Sequence, residues 1–159
     1  MTDAESESIV REVWIAAPPE DVFPYFTDAH KLSVWKAAWV ESDARHGGGF
    51  RADITGRGDI VYGAYLEVEP PRRVVFSWQW QNAELADLYR ASVVEVTLAP
   101  NGGGTLLRLV HHGVPPANRA GSAEGWTHYL SRLAVAATGN DPGPDAWATE
   151  RNDSRKDVA

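Results

Sequence analysis

The sequence predicts an α+β fold in which a curved antiparallel β-sheet wraps around one long C-terminal helix. Three observations favour this fold class. Most of the chain alternates apolar and polar residues with the two-residue period of strands, and turn residues separate the alternating segments. After Pro115 and Pro116 the apolar period changes to that of a helix. An antiparallel sheet needs one face covered, and the final amphipathic helix can cover it.

The N-terminal part of the chain predicts one strand and two short helices. Ile9–Ile15 alternates in polarity and is expected to be a half-buried strand. A double proline ends this strand, and the acidic residues after it favour a helix over residues 19–26. Pro24 removes a hydrogen bond, so we expect this helix to be short or distorted. Asp28 can cap a second short helix that leads to Trp35.

Five further strands follow, and their connections carry turn residues. The run from Pro100 to Gly104 is typical of a hairpin turn, and three consecutive glycines open the first of these strands. Residues 82–90 are polar and rich in alanine, so that stretch could extend the strands or form a loop. The strands are predicted at residues 50–55, 59–68, 73–80, 92–98 and 105–112.

The last regular element is predicted to be a long helix with one apolar face. Ser122 is the predicted N-cap, and Gly139 and Pro142 are expected to end the helix. The apolar residues recur at helical spacing: Trp126, Leu130, Leu133 and Ala137, with Tyr129 and Ala134 beside them.

Length and composition predict one domain and exclude several functions. The 159 residues suit a single domain over residues 9–147, with flexible tails at 1–8 and 152–159. A formal charge of −7 argues against nucleic acid as a partner, because phosphate binding needs clustered Lys and Arg. The absence of cysteine excludes disulfides, thiolate metal sites and a cysteine nucleophile.

The same sequence predicts no signal peptide and no membrane-spanning segment. Residues 1–8 are acidic and polar, which does not fit a signal peptide. No apolar run approaches the ~20 residues that a membrane-spanning helix needs. We therefore expect a cytoplasmic protein without membrane insertion, either a monomer or a homodimer.

Four stretches of the chain carry a family resemblance. The opening REVWIAAPPEDVFPYFTDAHKLSVW resembles the start of the SRPBCC superfamily, the helix-grip fold of START and birch-pollen-allergen-like proteins. GAYLEVEPPRRVVFSWQW, GGGTLLRLVHHGVP and GWTHYLSRLAVAATGNDPGPDAW are similar to the branch named after the C-terminal domain of the heat-shock-protein-90 ATPase activator. Together they extend over nearly the whole chain, in matching order and spacing.

The resemblance implies a sheet gripping the last helix and a deep cavity between them. The superfamily includes lipid carriers, aromatic polyketide cyclases and hormone receptors, so the fold alone does not assign an activity. Eukaryotic co-chaperones of this branch carry an additional N-terminal domain, which residues 1–8 cannot supply. This departure argues against co-chaperone activity.

Aromatic residues are the strongest indication of a binding site. The chain has seven tryptophans, and several aromatic residues fall at inward-facing spacings. They could line a pocket for a flat or hydrophobic molecule, or they could fill the core. The predicted ligand-binding residues are Trp35, Trp39, Phe50, Phe76, Trp78, Trp80, His111, Trp126 and Tyr129.

The histidines predict no metal site. His111 and His112 are neighbours on a predicted strand, so they point to opposite faces and cannot chelate one ion together. His111 shares the parity of Leu107 and Leu109, which predicts an inward imidazole. It is either a general acid–base, the weak candidate for a catalytic residue, or a core histidine satisfied by a neighbour.

Three functions are compatible with these features. The first is a carrier or binding protein for a small hydrophobic or aromatic molecule, with no cofactor and no covalent chemistry. The second is a cofactor-free enzyme, such as a cyclase or hydrolase, that uses His111 in the same cavity. The third is a protein-interaction module associated with chaperones. We rank them in this order.

Overall fold

The computed structural model describes residues 8–148 and confirms the α+β class. A curved antiparallel sheet of eight strands packs against one long helix, as in the helix-grip fold. The elements in chain order are β1 (Ile9–Ile15), α1 (Pro19–Val22), a 3-10 helix (Phe23–Phe26), α2 (Ala29–Trp35), β2 (Trp39–Ser42), β3 (Gly49–Asp53), β4 (Ile60–Glu69), β5 (Arg73–Ser77), β6 (Gln79–Trp80), α3 (Ala83–Ala86), β7 (Val93–Asn101), β8 (Gly104–His112), a second 3-10 helix (Pro116–Asn118) and α4 (Arg119–Ala136).

The sheet has the strand order β1-β8-β7-β5-β4-β3-β2, and β6 pairs with β4 beside this path. Every pairing is antiparallel. Strand β4 is irregular at two positions. A Cβ at Gly63 would collide with the Ser77 carbonyl oxygen, and the register with β5 shifts between Tyr65 and Glu67. Such irregularities increase the local bend and twist of a strand, which helps the sheet to curve.

The sheet differs from the sequence prediction in two places. The predicted strand over residues 73–80 is divided at Trp78 into β5 and β6. The Trp78 amide still donates to the Ser92 carbonyl oxygen, in register with the β5–β7 ladder, whereas on the β4 side the Ala64 amide donates to the Ser77 hydroxyl. Strand β2 was not predicted. Its four residues are too few to show a clear alternation, and they form a strand by pairing with β3.

The early helices follow the prediction. The helix expected over residues 19–26 changes from α to 3-10 geometry at Phe23, just before Pro24, so its predicted distortion is confirmed. Asp28 caps α2, and its side chain accepts a hydrogen bond from the Lys31 amide. The open stretch over residues 82–90 contains α3, which Asn82 caps through the Glu84 amide.

Helix α4 begins earlier than predicted. Its first residue is Arg119, so the predicted N-cap Ser122 is wrong: that residue lies inside the helix, where its hydroxyl contacts the Tyr89 hydroxyl. The second 3-10 helix leads directly into α4 and shifts its start. The predicted end is confirmed, since Gly139 adopts a φ of 86° two residues after the C-cap.

The buried face of α4 holds the helix in the sheet. Trp126, Tyr129, Leu130 and Leu133 are buried, as the apolar spacing predicts. The helix packs against β1 and α2. In residues 8–148 no helix is long and apolar enough to cross a membrane. The predicted tail at 152–159 and residues 1–7 of the other tail lie outside the described residues.

Candidate functional site

The space between sheet and helix is divided into two cavities that share a wall. The inner cavity lies among the short helices and strands β2 to β5, and its volume is about 30 Å³. That volume has room for about two water molecules. Its lining is almost wholly apolar: Phe26, Leu32, Trp35, Lys36, Ala37, Val40, Phe50, Ala52, Val61, Tyr65, Phe76, Trp78 and Trp126.

The inner cavity is small because aromatic rings fill it. The Phe50 ring centroid lies 5.4 Å from that of Phe76, 5.8 Å from that of Tyr65 and 6.2 Å from that of Trp78. These are the distances of edge-to-face and tilted packing in protein cores. The deep cavity that the resemblance implies is therefore occupied, on this side, by the protein's own side chains.

The outer cavity lies between α4, the region of β6 and α3, and the segment that follows α4. Its volume is about 370 Å³, within the usual range of small-molecule sites. Aromatic faces and polar tips are mixed in its lining: Lys36, Ile54, Trp78, Trp80, Leu85, Tyr89, His111, Ala117, Asn118, Gly121, Ser122, Gly125, Trp126, Tyr129 and Trp147.

Eight of the nine predicted site residues line one of the two cavities. Those that line only the inner cavity are Trp35, Phe50 and Phe76. Those that line only the outer cavity are Trp80, His111 and Tyr129. The two that form the shared wall are Trp78 and Trp126.

Trp39 is the exception. It lies on strand β2 and is 43% exposed, and it lines neither cavity. Successive residues of a strand face opposite sides of the sheet. Because its neighbour Val40 lines the inner cavity, Trp39 points away from it. Its inclusion among the predicted pocket residues is therefore corrected.

His111 is buried, as its parity on β8 predicts, and both of its ring nitrogens have partners. The Trp126 indole donates to Nδ1 at 2.9 Å, and Nε2 lies 2.6 Å from the Ser92 hydroxyl oxygen. An indole N–H can only donate, so Nδ1 accepts and the proton of the neutral ring is on Nε2. Burial, and then the charge of Lys36, lower the pKa of His111 to about 3, which keeps the ring neutral.

This arrangement is opposite in polarity to that of a catalytic triad. In a triad an acid accepts from Nδ1–H, which leaves Nε2 free to take the serine proton. Here the Trp126 donation leaves Nε2 protonated, so it donates to Ser92 and cannot activate it. The geometry gives His111 the contacts of a satisfied core histidine.

The other histidines form no metal site. His112 is on the opposite face of β8 from His111, where its Nδ1 lies 3.0 Å from the Ser8 hydroxyl. Within residues 8–148 no group of three or more His, Cys, Asp or Glu residues is placed to hold a metal ion.

Lys36 occupies the shared wall and was not found by sequence reasoning. It follows the last residue of α2, which brings its side chain between the two cavities. Its ammonium nitrogen lies 4.2 Å from the ring centroid of both Trp78 and Trp126, and 5.3 Å from that of Tyr129. Only 8% of the residue is exposed. Burial lowers the pKa of its amine from the usual 10.5 to about 7.

The segment after α4 closes one side of the outer cavity. Asp145 accepts hydrogen bonds from the Tyr129 hydroxyl at 2.7 Å and from the Trp147 amide at 3.0 Å, and it pairs with His128 at 2.8 Å. The Trp147 indole stacks on His128, with ring centroids 4.3 Å apart. Burial favours a higher pKa for Asp145, but the hydrogen bonds outweigh it and the pKa is lowered.

The comparisons with known proteins agree with the fold. The sequence model of the family described as Activator of Hsp90 ATPase homolog 1-like protein matches residues 16–138. The chain belongs to this family. Its membership confirms the resemblance to the SRPBCC branch found in the sequence. Among curated proteins the comparison finds no match.

Solved structures with the same fold include three that are 25% to 30% identical to this chain. Protein CV1439 from Chromobacterium violaceum is 27% identical with a TM-score of 0.70, over 83% of this chain and 97% of that one. CalU16 from Micromonospora echinospora is 30% identical with a TM-score of 0.70, over 86% of this chain and 69% of that one. DynU16, from the dynemicin biosynthetic locus, is 25% identical with a TM-score of 0.74, over 87% of this chain and 50% of that one.

Two parts of the site were missed in the sequence. Lys36 could have been found from its position in an apolar run, because it is the one charged residue between Val34 and Val40. The contacts of Asp145 with His128 and Tyr129 could not be predicted from any short sequence motif. They join residues 16 and 17 positions apart across the end of α4.

Proposed function

We propose that this protein binds a small aromatic or hydrophobic molecule in the outer cavity and acts as a carrier or receptor without covalent chemistry. The observation that carries the proposal is the cavity itself: about 370 Å³, preformed, and walled by indole and phenol rings with a few polar tips. Apolar walls supply affinity, and a small number of polar groups fix the orientation of a ligand.

The contrast with the inner cavity supports this assignment. A volume of about 30 Å³ can hold no organic ligand unless the packed rings move apart. The outer cavity needs no such rearrangement. DynU16 belongs to the dynemicin biosynthetic locus, and that association favours a role connected with small molecules.

An enzyme that uses His111 has less support. Both ring nitrogens are engaged, and the tautomer is the wrong one for activating Ser92. A chaperone-associated role draws its support from the family description alone. A pull-down with Hsp90 that recovers a stable complex would favour that role over the carrier.

The test compares ligand binding in two variants that differ by one position on α4. Gly125 lines the outer cavity, and a Cβ there would meet nothing within 4 Å. Gly125→Leu should therefore fit the fold and fill part of the cavity. The neighbouring Glu124 is exposed and does not line the cavity, so Glu124→Leu is a matched control.

Native mass spectrometry of the freshly purified protein, with its denatured mass, should reveal any ligand that copurifies. A panel of bicyclic aromatic compounds and fatty acids is then titrated while melting temperature and tryptophan fluorescence are followed. We expect at least one compound to bind, and Gly125→Leu to weaken it by more than about tenfold while Glu124→Leu binds as wild type does. A panel without any binder, or equal affinities in both variants, would contradict the proposal.

A further inference from the structure

Lys36 brings a cation to the outer cavity without an anion to balance it. Within residues 8–148 its side chain forms no ion pair and no hydrogen bond. Its contacts are the faces of aromatic rings, with Trp78 and Trp126 at 4.2 Å and Trp35 at 5.6 Å. Ring faces attract a cation, but they compensate only part of the hydration that burial removes.

The other charged and titratable groups around the cavity are already engaged. On β8, His111 is neutral and bonded at both nitrogens. Asp145 lines a neighbouring recess together with Lys36, but its carboxylate is held by Tyr129, His128 and the Trp147 amide, and it forms no ion pair with Lys36. On the same helix, the Arg132 guanidinium donates to backbone carbonyl oxygens, among them that of Trp35 at 3.0 Å.

Tyr89 is the remaining titratable residue of the cavity wall, and its hydroxyl contacts Ser122 at 3.3 Å. No carboxylate of the described residues therefore neutralises Lys36. An unpaired buried charge is destabilising, and an anion that enters the cavity would relieve that cost.

We propose that the outer cavity selects an aromatic carboxylic acid, whose carboxylate pairs with the Lys36 ammonium while its ring lies against the indoles of the cavity wall. The inference rests on the proposed function and adds the chemical class of the ligand. The tryptophan faces that stabilise the ammonium keep their contacts when the carboxylate binds. The ligand therefore adds an ion pair to the ring contacts of Lys36 and does not displace them.

The ion pair makes binding depend on pH. The amine of the free protein is half-protonated near pH 7, because burial lowers the pKa of Lys36 to about 7. Below that pH the cation is present and the carboxylate binds tightly. Above it, each bound carboxylate must draw one proton onto Lys36, so its affinity falls by up to about tenfold per pH unit.

The experiment measures two ligands that differ mainly in charge, 2-naphthoate and 2-naphthamide, by isothermal titration calorimetry. At about pH 6 we expect the carboxylate to bind at least about tenfold more tightly than the amide. Toward about pH 9 this preference should shrink, because the amide gains nothing from Lys36 protonation. At about pH 8, the binding heats in phosphate and in Tris should differ by the number of protons taken up multiplied by the difference between the ionisation enthalpies of the two buffers, which reports proton uptake.

The Lys36→Met variant isolates the charge, since methionine keeps an unbranched apolar stem. In it the two affinities should become equal to within about threefold at every pH, and the proton uptake should vanish. Preference for the carboxylate that persists in this variant, or wild-type affinities equal at about pH 6, would overturn the inference. If both compounds bind with equal affinity, the inference about the carboxylate is contradicted and the proposed carrier function still stands. If neither compound binds and no compound of the wider panel binds, the proposed carrier function itself is contradicted.

Discussion

The two cavities share Trp78, Trp126 and Lys36 as a wall, yet they are built in opposite ways. The inner cavity is almost closed by rings in contact, and its volume is about 30 Å³. The outer cavity is about 370 Å³ and includes two glycines and a segment beyond the last helix. In the first, side chains satisfy one another; in the second, they leave surface for another molecule. Under the proposed function, the inner side of this wall contributes stability and the outer side contributes ligand selection.

The largest expected effect is the loss of an inner ring. Phe76 is buried and contacts Phe50, Tyr65 and Trp78, so Phe76→Ala should lower the free energy of unfolding by about 3–5 kcal/mol. Trp80 is half-buried at the outer cavity, and Trp80→Ala should lower it by only about 1–2 kcal/mol. Urea denaturation of both variants measures the difference. Equal losses would remove the distinction between the two cavities.

The next effect is a gain in stability. Lys36→Met removes a buried charge from the shared wall and should raise the free energy of unfolding by about 2–4 kcal/mol below about pH 7. The unfolded chain keeps the Lys36 proton up to the usual 10.5, whereas the folded protein releases it near 7. Between these values unfolding takes up a proton, so wild-type stability rises with pH and the difference disappears near pH 10.

Denaturation at about pH 6, 8 and 10 checks this expectation. A Lys31→Met variant is the control, because Lys31 lies on the same helix α2 and is partly exposed. A difference between wild type and Lys36→Met that stays constant with pH would contradict the assignment of a charged, buried amine.

A smaller effect is expected where the wall is held by hydrogen bonds. Trp126→Phe keeps an aromatic ring but removes the indole donor to His111 Nδ1. The buried nitrogen is left without a partner, which should lower the free energy of unfolding by about 1–3 kcal/mol. Nitrogen-15 NMR of the His111 ring should show Nε2 protonated in the wild-type protein. A wild-type spectrum with Nδ1 protonated would contradict the hydrogen-bond pattern described above.

The smallest effect concerns the segment that closes the outer cavity. Asp145→Asn weakens the bonds to Tyr129 and His128 and should lower the free energy of unfolding by about 1–2 kcal/mol at neutral pH. Because the folded pKa of Asp145 is lowered, its contribution is present above the usual carboxyl pKa and is lost as pH falls through the folded value.

Hydrogen exchange locates this effect. Amide protection should fall around Trp147 and stay unchanged at Phe76 in the inner core. Glu124→Gln, a change at an exposed position of α4, is the control. Loss of protection at both places would mean that the closing segment and the inner core open together.

Much of the fold could be predicted because local patterns determine it. The alternation of Ile9–Ile15 and the helical spacing of Trp126 and Leu130 follow directly from burial of one face. The start of α4 could not be predicted, because a 3-10 helix extends it past Ser122. Strand β2 was missed because it depends on its partner and not on its own four residues.

The candidate site was less predictable for a physical reason. Sequence indicates which residues are large and aromatic, but not whether rings meet one another or leave space. Phe50 and Trp80 are both large aromatic residues on predicted strands. Only their packing in the fold assigns Phe50 to the filled inner cavity and Trp80 to the outer cavity. The role of His111 was also undecidable, because its tautomer is fixed by a donor 15 positions away.

One feature of α4 bears on how binding properties can change. Gly121 and Gly125 lie one turn apart on the cavity side, and a side chain at either position would meet open space. Glycine inside a helix is less favourable than alanine by about 1 kcal/mol, so enlarging either residue should strengthen the scaffold as it narrows the cavity. Under the proposed function, single substitutions at these positions would change the size of ligand that the cavity accepts without destabilising the fold. Natural or designed substitutions at these two positions would change the volume of the outer cavity while the packing of the inner core is kept.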